Sequence, residues 1–413
     1  MSHCLSPRHA AAAIGLCVLT LTASNGLAQS YSITAPPTLG GISSAANDIN
    51  DAGIVVGWSE RATGGKMRPT RWTNGQPVDL DPLDWWESGE AVAISNTGMV
   101  LSNQGTALSC FPPGVAVFGP MGAYNWRMNF QQLPGTGRDI NDAGVVVGCA
   151  DRPTGEIIPL QWTSTAPASI GPTTSNLADP LDLNNAGLAV GYTTQFEGGF
   201  PDGVNHACIF ANGQITDLGS LPGHNRSHAQ SINNRGVIVG DADNGSNPCS
   251  FLNTDSIAVK WVGNSPSILP MPIGASSARA VDLNDFNEII GMTDVNFEFA
   301  AVLWRNDQPT LLSALLPQNS GWMSLNEARA INNKGQIVGW GWKHTAQSVE
   351  QRGFIISPCW GNFDGLNGTT LQDLFGFLSS YFGTDSKADV DRSGAINTGD
   401  LHVFLASWFT GCP

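Results

Sequence analysis

From residue 31 to residue 357 the apolar positions come as short runs broken by Asn, Asp, Gly and Pro, without the three-to-four spacing of an amphipathic helix. One run returns throughout. After "DINDAGIVVG" at Asp48 come "AISNTGMVLS" at Ala93, "DINDAGVVVG" at Asp139, "DLNNAGLAVG" at Asp182, "SINNRGVIVG" at Ser231, "DLNDFNEIIG" at Asp282 and "AINNKGQIVG" at Ala330. Counted on the apolar residue before the turn (Ile49, Ile94, Ile140, Leu183, Ile232, Leu283, Ile331), the copies stand 45, 46, 43, 49, 51 and 48 residues apart. That period is in the range of propeller blades. Each copy reads as a β-hairpin in which Asn or Ser at the first turn position bonds the backbone two residues on, and Gly at the fourth takes a left-handed conformation. In the sixth copy Asn287 replaces that Gly, and Asn is the next most tolerant residue there.

Two further strands follow each turn. The first carries an aromatic: Trp72, Phe118, Trp162, Phe210, Trp261, Trp304 and Phe354. The second centres on a leucine, at Leu80, Leu133, Leu177, Leu218, Leu269 and Leu316. The last unit lacks this leucine strand, and a spare one stands ahead of the first turn, around Leu39 in "APPTLGG". The offset predicts a mainly β fold, a seven-bladed β-propeller closed by the N-terminal strand, because ring closure leaves few exposed sheet edges.

Asp48, Asn50 and Gly53 also fit positions 1, 3 and 6 of an EF-hand loop, so a calcium reading competes with the hairpin. The seven copies decide against it. Position 5 holds Ala52, Thr97, Ala143, Ala186, Arg235, Phe286 and Lys334, and position 12 holds Ser59, Gln104, Ala150, Thr193, Ala242, Thr293 and Gly341. No carboxylate stands at either position, too few oxygens for a cation that wants six to eight.

Only 13% of the 413 residues are charged, while Gly reaches 48 and Pro 25, which suits a turn-rich β body. The net charge of −15 and the lack of a Lys/Arg stripe exclude a nucleic-acid partner. Residues 1–28 read as a secretory signal, with Arg8, the apolar run "AAAIGLCVLTLTA" and small residues before a cut near Ala28. Cys17 follows Leu16 inside that run, which disfavours a lipoprotein signal, and no later stretch reaches the length of a transmembrane helix. The expected location is extracellular or at the cell surface. Six cysteines remain in the mature chain, an even number that suggests disulfides in an exported protein. Cys359 with Cys412 brackets one C-terminal unit; Cys110 with Cys149 and Cys208 with Cys249 are the weaker pairings, against buried thiols.

The repeats, with "HACIFANGQITDLGSLPGHNRSHAQSINNRGVIVG" from His206 to Gly240 as the best example, resemble the HAF-repeat extracellular proteins. The resemblance covers residues 29–357. It implies an exported β-repeat protein and carries no settled activity.

From residue 358 to 413 the chain changes to two half-repeats of loop plus amphipathic helix. In the second loop Asp389, Asp391, Ser393, Asn397 and Asp400 occupy positions 1, 3, 5, 9 and 12, with Gly394 at 6. In the first, Asn362, Asp364, Thr370 and Asp373 correspond, but Leu366 and Asn367 fill positions 5 and 6, which predicts weaker calcium or none. The unit resembles a dockerin domain, in the version that ends "GCP". The resemblance implies calcium in EF-hand-type loops and docking to a cohesin-type module or cell-surface component.

The signatures of common catalysts are absent: no phosphate loop, no HExxH, no GxSxG. His224 and His228 are the one close histidine pair and read as loop residues. Asp48, Asp139, Asp182 and Asp282 recur at one repeat position, either to converge on a channel or, more simply, to bond turn amides. Two functions remain open. One is a non-catalytic binding or display protein that recognises a glycan or an extracellular protein. The other is a polysaccharide-degrading glycoside hydrolase, which needs two carboxylates across a cleft.

Overall fold

The structure is a computed structural model that describes residues 31–411 except 64, 82–87, 105–114, 120–123, 129–134, 152–156, 164–166, 172–177, 195–203, 245–254, 318–319, 347 and 366–367. The signal segment 1–28, Leu133, Leu177, Cys110, Cys249, Cys412, Leu366 and Asn367 therefore lie outside the described residues.

Among the described residues the strands form seven four-stranded antiparallel sheets, the blades of a β-propeller. The first holds Gly40–Ile49, Val55–Arg61, Met67–Thr73 and Gln76–Asp79 in chain order. Five more sheets repeat that order. The seventh takes three strands from the end of the array, Trp322–Ile331, Ile337–His344 and Val349–Pro358, and its fourth is Tyr31–Thr34. The N-terminal strand thus completes the last sheet, with Tyr31 opposite Pro358 and Thr34 opposite Ile355. The expected strand around Leu39 is displaced: "YSIT" does the pairing, and Leu39 makes a lone bridge to Arg61 in the first sheet. Buried Tyr31 explains the choice, since its ring fills the core of the seventh sheet beside Phe354 and Ile356.

Each hairpin forms where the sequence places it. In the first, Gly53 N–H donates to Asn50 O at 2.9 Å and Asn50 N–H to Ile54 O at 3.1 Å. The turn glycines Gly53, Gly98, Gly144, Gly187, Gly236 and Gly335 have φ between 73° and 85°, and Asn287 has φ 59°. The residues that flank the turns pack between neighbouring sheets; Ile140 and Val146 of the third meet Ala93 and Leu101 of the second. The aromatics Trp72, Trp162, Phe210, Trp261, Trp304 and Phe354 are buried in these seams.

The innermost strand of each sheet carries a bulge that the sequence pattern hides. In the first sheet pairing jumps from Ala46–Gly57 to Asp48–Val56, so Asn47 is the extra residue. The bulge brings the chain so close that a Cβ on the last glycine of "VVG" would meet a carbonyl oxygen, at 1.9 Å for Gly240 against His228 O. That close approach favours glycine, which six copies have; the second forms the same bulge with Ser102.

The C-terminal unit consists of α1, Leu371–Phe382, and α2, Thr398–Thr410, around Phe377 and Phe404, whose rings stack at 4.0 Å. Cys359 is disulfide-bonded. Cys149 and Cys208 carry buried thiols, which overturns their predicted pairings. Each is fully buried, at 0% exposure.

Gly144 sits at φ 77°, and a Cβ on it would meet Met99 Cε at 3.0 Å. Gly144→Val is expected to lower stability by roughly 1 kcal/mol or more. Thermal unfolding measures this, and an unchanged midpoint would contradict the turn geometry.

Candidate functional site

The turns of the seven repeats meet around a central channel, and two circuits of hydrogen bonds run head to tail around it. In the first, the turn Asn uses both ends of its amide. Asn50 Oδ1 accepts from Ala52 and Ile54 N–H of its own turn, while its Nδ2 donates to Ser95 O of the next repeat at 3.1 Å. Asn141, Asn184, Asn233 and Asn284 each donate in the same way to the next turn, at 3.0–3.2 Å. Asn332 donates to Asn50 O at 3.0 Å and closes the ring. Serine at position 95 gives the second repeat no amide to donate.

The second circuit is complete. The next residue in each turn donates its backbone N–H to the Oδ1 of its counterpart one repeat on, through Asp51, Asn96, Asp142, Asn185, Asn234, Asp285, Asn333 and back to Asp51, at 2.6–3.0 Å. These polar groups surround a chamber of about 160 Å³ at one mouth of the channel.

Deeper in the channel lie Asp48, Asp139, Asp182 and Asp282, with Ser231 among them. Both readings of these aspartates hold. They converge on the channel, and each also accepts a backbone amide of a following repeat. Asp48 takes Ile94 N–H at 2.6 Å, Asp139 takes Leu183 at 3.2 Å, Asp182 takes Ile232 at 2.7 Å and Asp282 takes Ile331 at 2.8 Å. Ser231 Oγ lies 2.7 Å from Asp182 Oδ2 and 2.8 Å from Asp282 Oδ1. Part of each carboxylate faces the channel, yet seven sheets enclose it. Burial, against the lowering effect of the bonded amides and with help from neighbouring carboxylates, pushes Asp48 up to about 6 and Asp282 up to about 7. Burial first, then the charge and hydrogen bond of Asp182, hold Asp139 well above the carboxylate range.

His228 and His224 take separate roles. His228 stands in the strand Arg226–Ile232, its Nδ1 3.3 Å from Asp241 Oδ2 and its Nε2 3.1 Å from Asn205 Nδ2. His224 lies in the preceding turn, its N–H bonded to Leu221 O. Asp241 and Asp243 could join His228 around a cation. Asp241 is already engaged by Arg279 Nε at 3.1 Å and Gln230 Nε2 at 3.2 Å. Burial opposes its charge, but Arg279 and His228 outweigh it and hold the carboxyl well below the usual range. Sequence reading missed this cluster, although Asp241 directly follows "SINNRGVIVG", because only the pairing of its strand sets it opposite His228.

In the C-terminal unit the structure brings Asp389, Asp391 and Asp400 together, with one oxygen of each within 4.8 Å of the others. Ser393 and Asn397 are occupied locally: Ser393 Oγ donates to Ala395 O at 3.1 Å, and Asn397 Oδ1 caps α2 on Gly399 N–H at 2.7 Å. The first loop repeats the frame. Asp364 N–H donates to Asp373 Oδ1 at 2.9 Å, as Asp391 N–H does to Asp400 Oδ1 at 3.0 Å. Thr370 N–H donates to Asp373 Oδ2 at 2.7 Å, as Asn397 N–H does to Asp400 Oδ2 at 2.8 Å. Each position-12 aspartate therefore ties its loop to the first turn of its helix, where a carboxylate is favoured. Buried Asn362 Oδ1 has no protein partner, an orphaned acceptor at position 1 of the first loop. The donor set fits a hard cation: three carboxylates in the second loop, two with an unmet amide oxygen in the first. Among the described residues no helix is long and apolar enough to cross a membrane.

The raised channel carboxylates fix the sign of a pH effect. Their contribution to stability is present below the unfolded carboxylate value near 3.9 and is lost as pH rises through about 6 to 7. The thermal midpoint of the chain is expected to fall between pH 5 and pH 8. Asp282→Asn is expected to flatten that fall, and a variant with the wild-type slope would contradict the assignment.

No family model matches the chain, and no curated protein matches it. Solved structures do. TolB from Acinetobacter baumannii is similar with a TM-score of 0.41 at 15% identity, over 62% of this chain and 61% of that one. The β-propeller domain of the Trilobed protease from Pyrococcus furiosus gives 0.42 at 10% identity, over 75% and 93%. YCF48 bound to D1 peptide gives 0.44 at 9% identity, over 80% and 96%. The likeness is distant and lies in the fold alone: the chain carries a β-propeller domain followed by two helices.

Proposed function

We propose that this is an exported, non-catalytic binding and display protein, in which the propeller recognises an extracellular glycan or protein and the C-terminal unit anchors it through calcium-stabilised loops. The repeats are read as HAF-type and the C-terminal unit as dockerin-type on their residues, with a cohesin-type module or a cell-surface component as the docking partner. The observation that carries the reading is the convergence of Asp389, Asp391 and Asp400, since three carboxylates with oxygens within 4.8 Å of one another repel without a cation. Burial and the nearby Asp400 and Asp391 charges raise Asp389 against the amides of Gly394 and Ser393. Calcium would be held by Asp389, Asp391 and Asp400, with Ser393 and Asn397 at positions 5 and 9, and in the first loop by Asn362, Asp364, Thr370 and Asp373. The cation would supply charge balance and loop order. In the propeller each channel aspartate is engaged with a backbone amide. That engagement weighs against the hydrolase alternative.

Calcium at about a hundredfold over its dissociation constant is expected to stabilise the C-terminal unit by about 2.7 kcal/mol. Asp400→Ala is expected to abolish the part due to the second loop. Melting with calcium and with chelator measures both, and a midpoint indifferent to calcium would overturn the calcium reading. Residues 29–357 and 358–413, made separately, are expected to retain different partners from secreted material, the second only with calcium. Reducing ends released from polysaccharide by the mature chain would establish the hydrolase instead.

A further inference from the structure

The seven repeats place an apolar residue or an amide directly after the left-handed turn position: Ile54, Met99, Val145, Leu188, Val237 and Gln336 in six of them. The sixth repeat has Glu288, only 5% exposed. A buried carboxylate is costly unless it is paired and hydrogen-bonded. Three groups meet it. Asn284 Nδ2 donates to Oε2 at 2.7 Å, Arg305 Nε donates to Oε1 at 2.8 Å, and the third is Arg392, which arrives from the C-terminal unit. Arg392 Nη2 donates to Oε1 at 2.9 Å and its Nη1 to Oε2, a two-pronged pair. The guanidinium lies 5.5 Å from the Phe286 ring of the sixth repeat and 5.1 Å from the Trp360 ring of its own unit. It also covers Gly335 of the seventh repeat, where a Cβ would meet Nη1 at 3.0 Å.

Arg392 is not on a helix surface but inside the carboxylate loop, between Asp391 and Ser393, at φ 59°. Few residues other than Gly and Asn hold that conformation without support. The loop must keep this shape for the guanidinium to reach Glu288.

We propose that cation binding in the 389–400 loop and docking of the C-terminal unit on the sixth repeat are one coupled equilibrium, with Arg392 as the coupling residue. The inference rests on the calcium reading of that loop. Two physical effects act in the same direction. A bound cation draws Asp389, Asp391 and Asp400 together and fixes the backbone of Arg392, so less conformational entropy is lost on docking. Docking in turn engages the Arg392 charge with Glu288, away from the neighbouring carboxylates for which it would otherwise compete with the cation. Linkage requires that the cation strengthen docking by the same factor by which docking strengthens cation binding.

The test is calorimetric titration of calcium into the chelator-stripped full chain, with Asp400→Asn assigning the isotherm of the second loop. Hydrogen exchange of the turn 284–288 is followed with and without calcium. Glu288→Gln and Arg392→Gln are each expected to weaken binding at the second loop at least about fivefold, the lower end of ordinary coupling between sites. Calcium is expected to slow exchange at 284–288 in the wild type and not in Arg392→Gln. Arg392→Gln leaves Glu288 its partners in the propeller, so it reports even where Glu288→Gln unfolds the sixth repeat. Wild-type binding with unchanged affinity in Arg392→Gln would overturn the coupling and leave the calcium reading standing. No calcium binding at the second loop of the wild type would overturn both.

Discussion

The fold depends on one side-chain amide used at both ends. In each Asn-bearing turn, Oδ1 accepts two backbone amides of its own turn, and Nδ2 holds the carbonyl of the next. Local and long-range structure are therefore set by the same atom group, and neither forms well without the other. The second circuit, from backbone N–H to the next turn's Oδ1, repeats the arrangement with no gap. The left-handed glycines and the bulge glycines serve this arrangement by letting the chain turn and pack closely where the circuits run. The apolar seams between the sheets then stabilise a ring whose register the amides define.

Much of this was legible in the sequence because it repeats. Seven copies of one turn separated Gly and Asn, which hold the backbone, from residues that vary, and so removed the calcium reading of Asp48. The offset of the leucine strands showed which end of the chain must close the ring. It misplaced the strand, because Tyr31 and its seam contacts carry no repeat signal. The bulge at Asn47 was invisible, since register is a property of two strands and the sequence shows one at a time. Cysteine spacing misled for Cys149 and Cys208, because an even count does not show which cysteines the fold buries as thiols.

The candidate sites divide along the same line. The loop at Asp389 was readable because a calcium loop is local, with its carboxylates and its glycine in twelve consecutive residues. The channel carboxylates were visible as a repeated letter, but the raised values of Asp48, Asp139 and Asp282 arise only from their burial in the closed ring, with neighbouring carboxylates adding to it. Glu288 and Arg392 could have been found only as exceptions: a charge where six sister copies have none, and an arginine among acidic residues. What joins them is tertiary. Tyr31 Oη accepts from Arg305 at 2.6 Å, and Arg305 also holds Glu288, so the strand that closes the ring and the C-terminal unit converge on one carboxylate.

The head-to-tail grip of one turn on the next contains nothing that identifies the neighbour. Asn184 would hold the carbonyl of any turn of the same shape, and Asn332 holds Asn50 with the geometry that Asn233 uses for Asn284. Blade number is thus not written in the joints. It follows from the splay at which adjacent sheets pack, because the ring ends when the last turn comes round to the first. An array built this way can gain or lose a unit by duplication or deletion without new joint chemistry, and only the individual residues of the sixth repeat would mark where the C-terminal unit belongs.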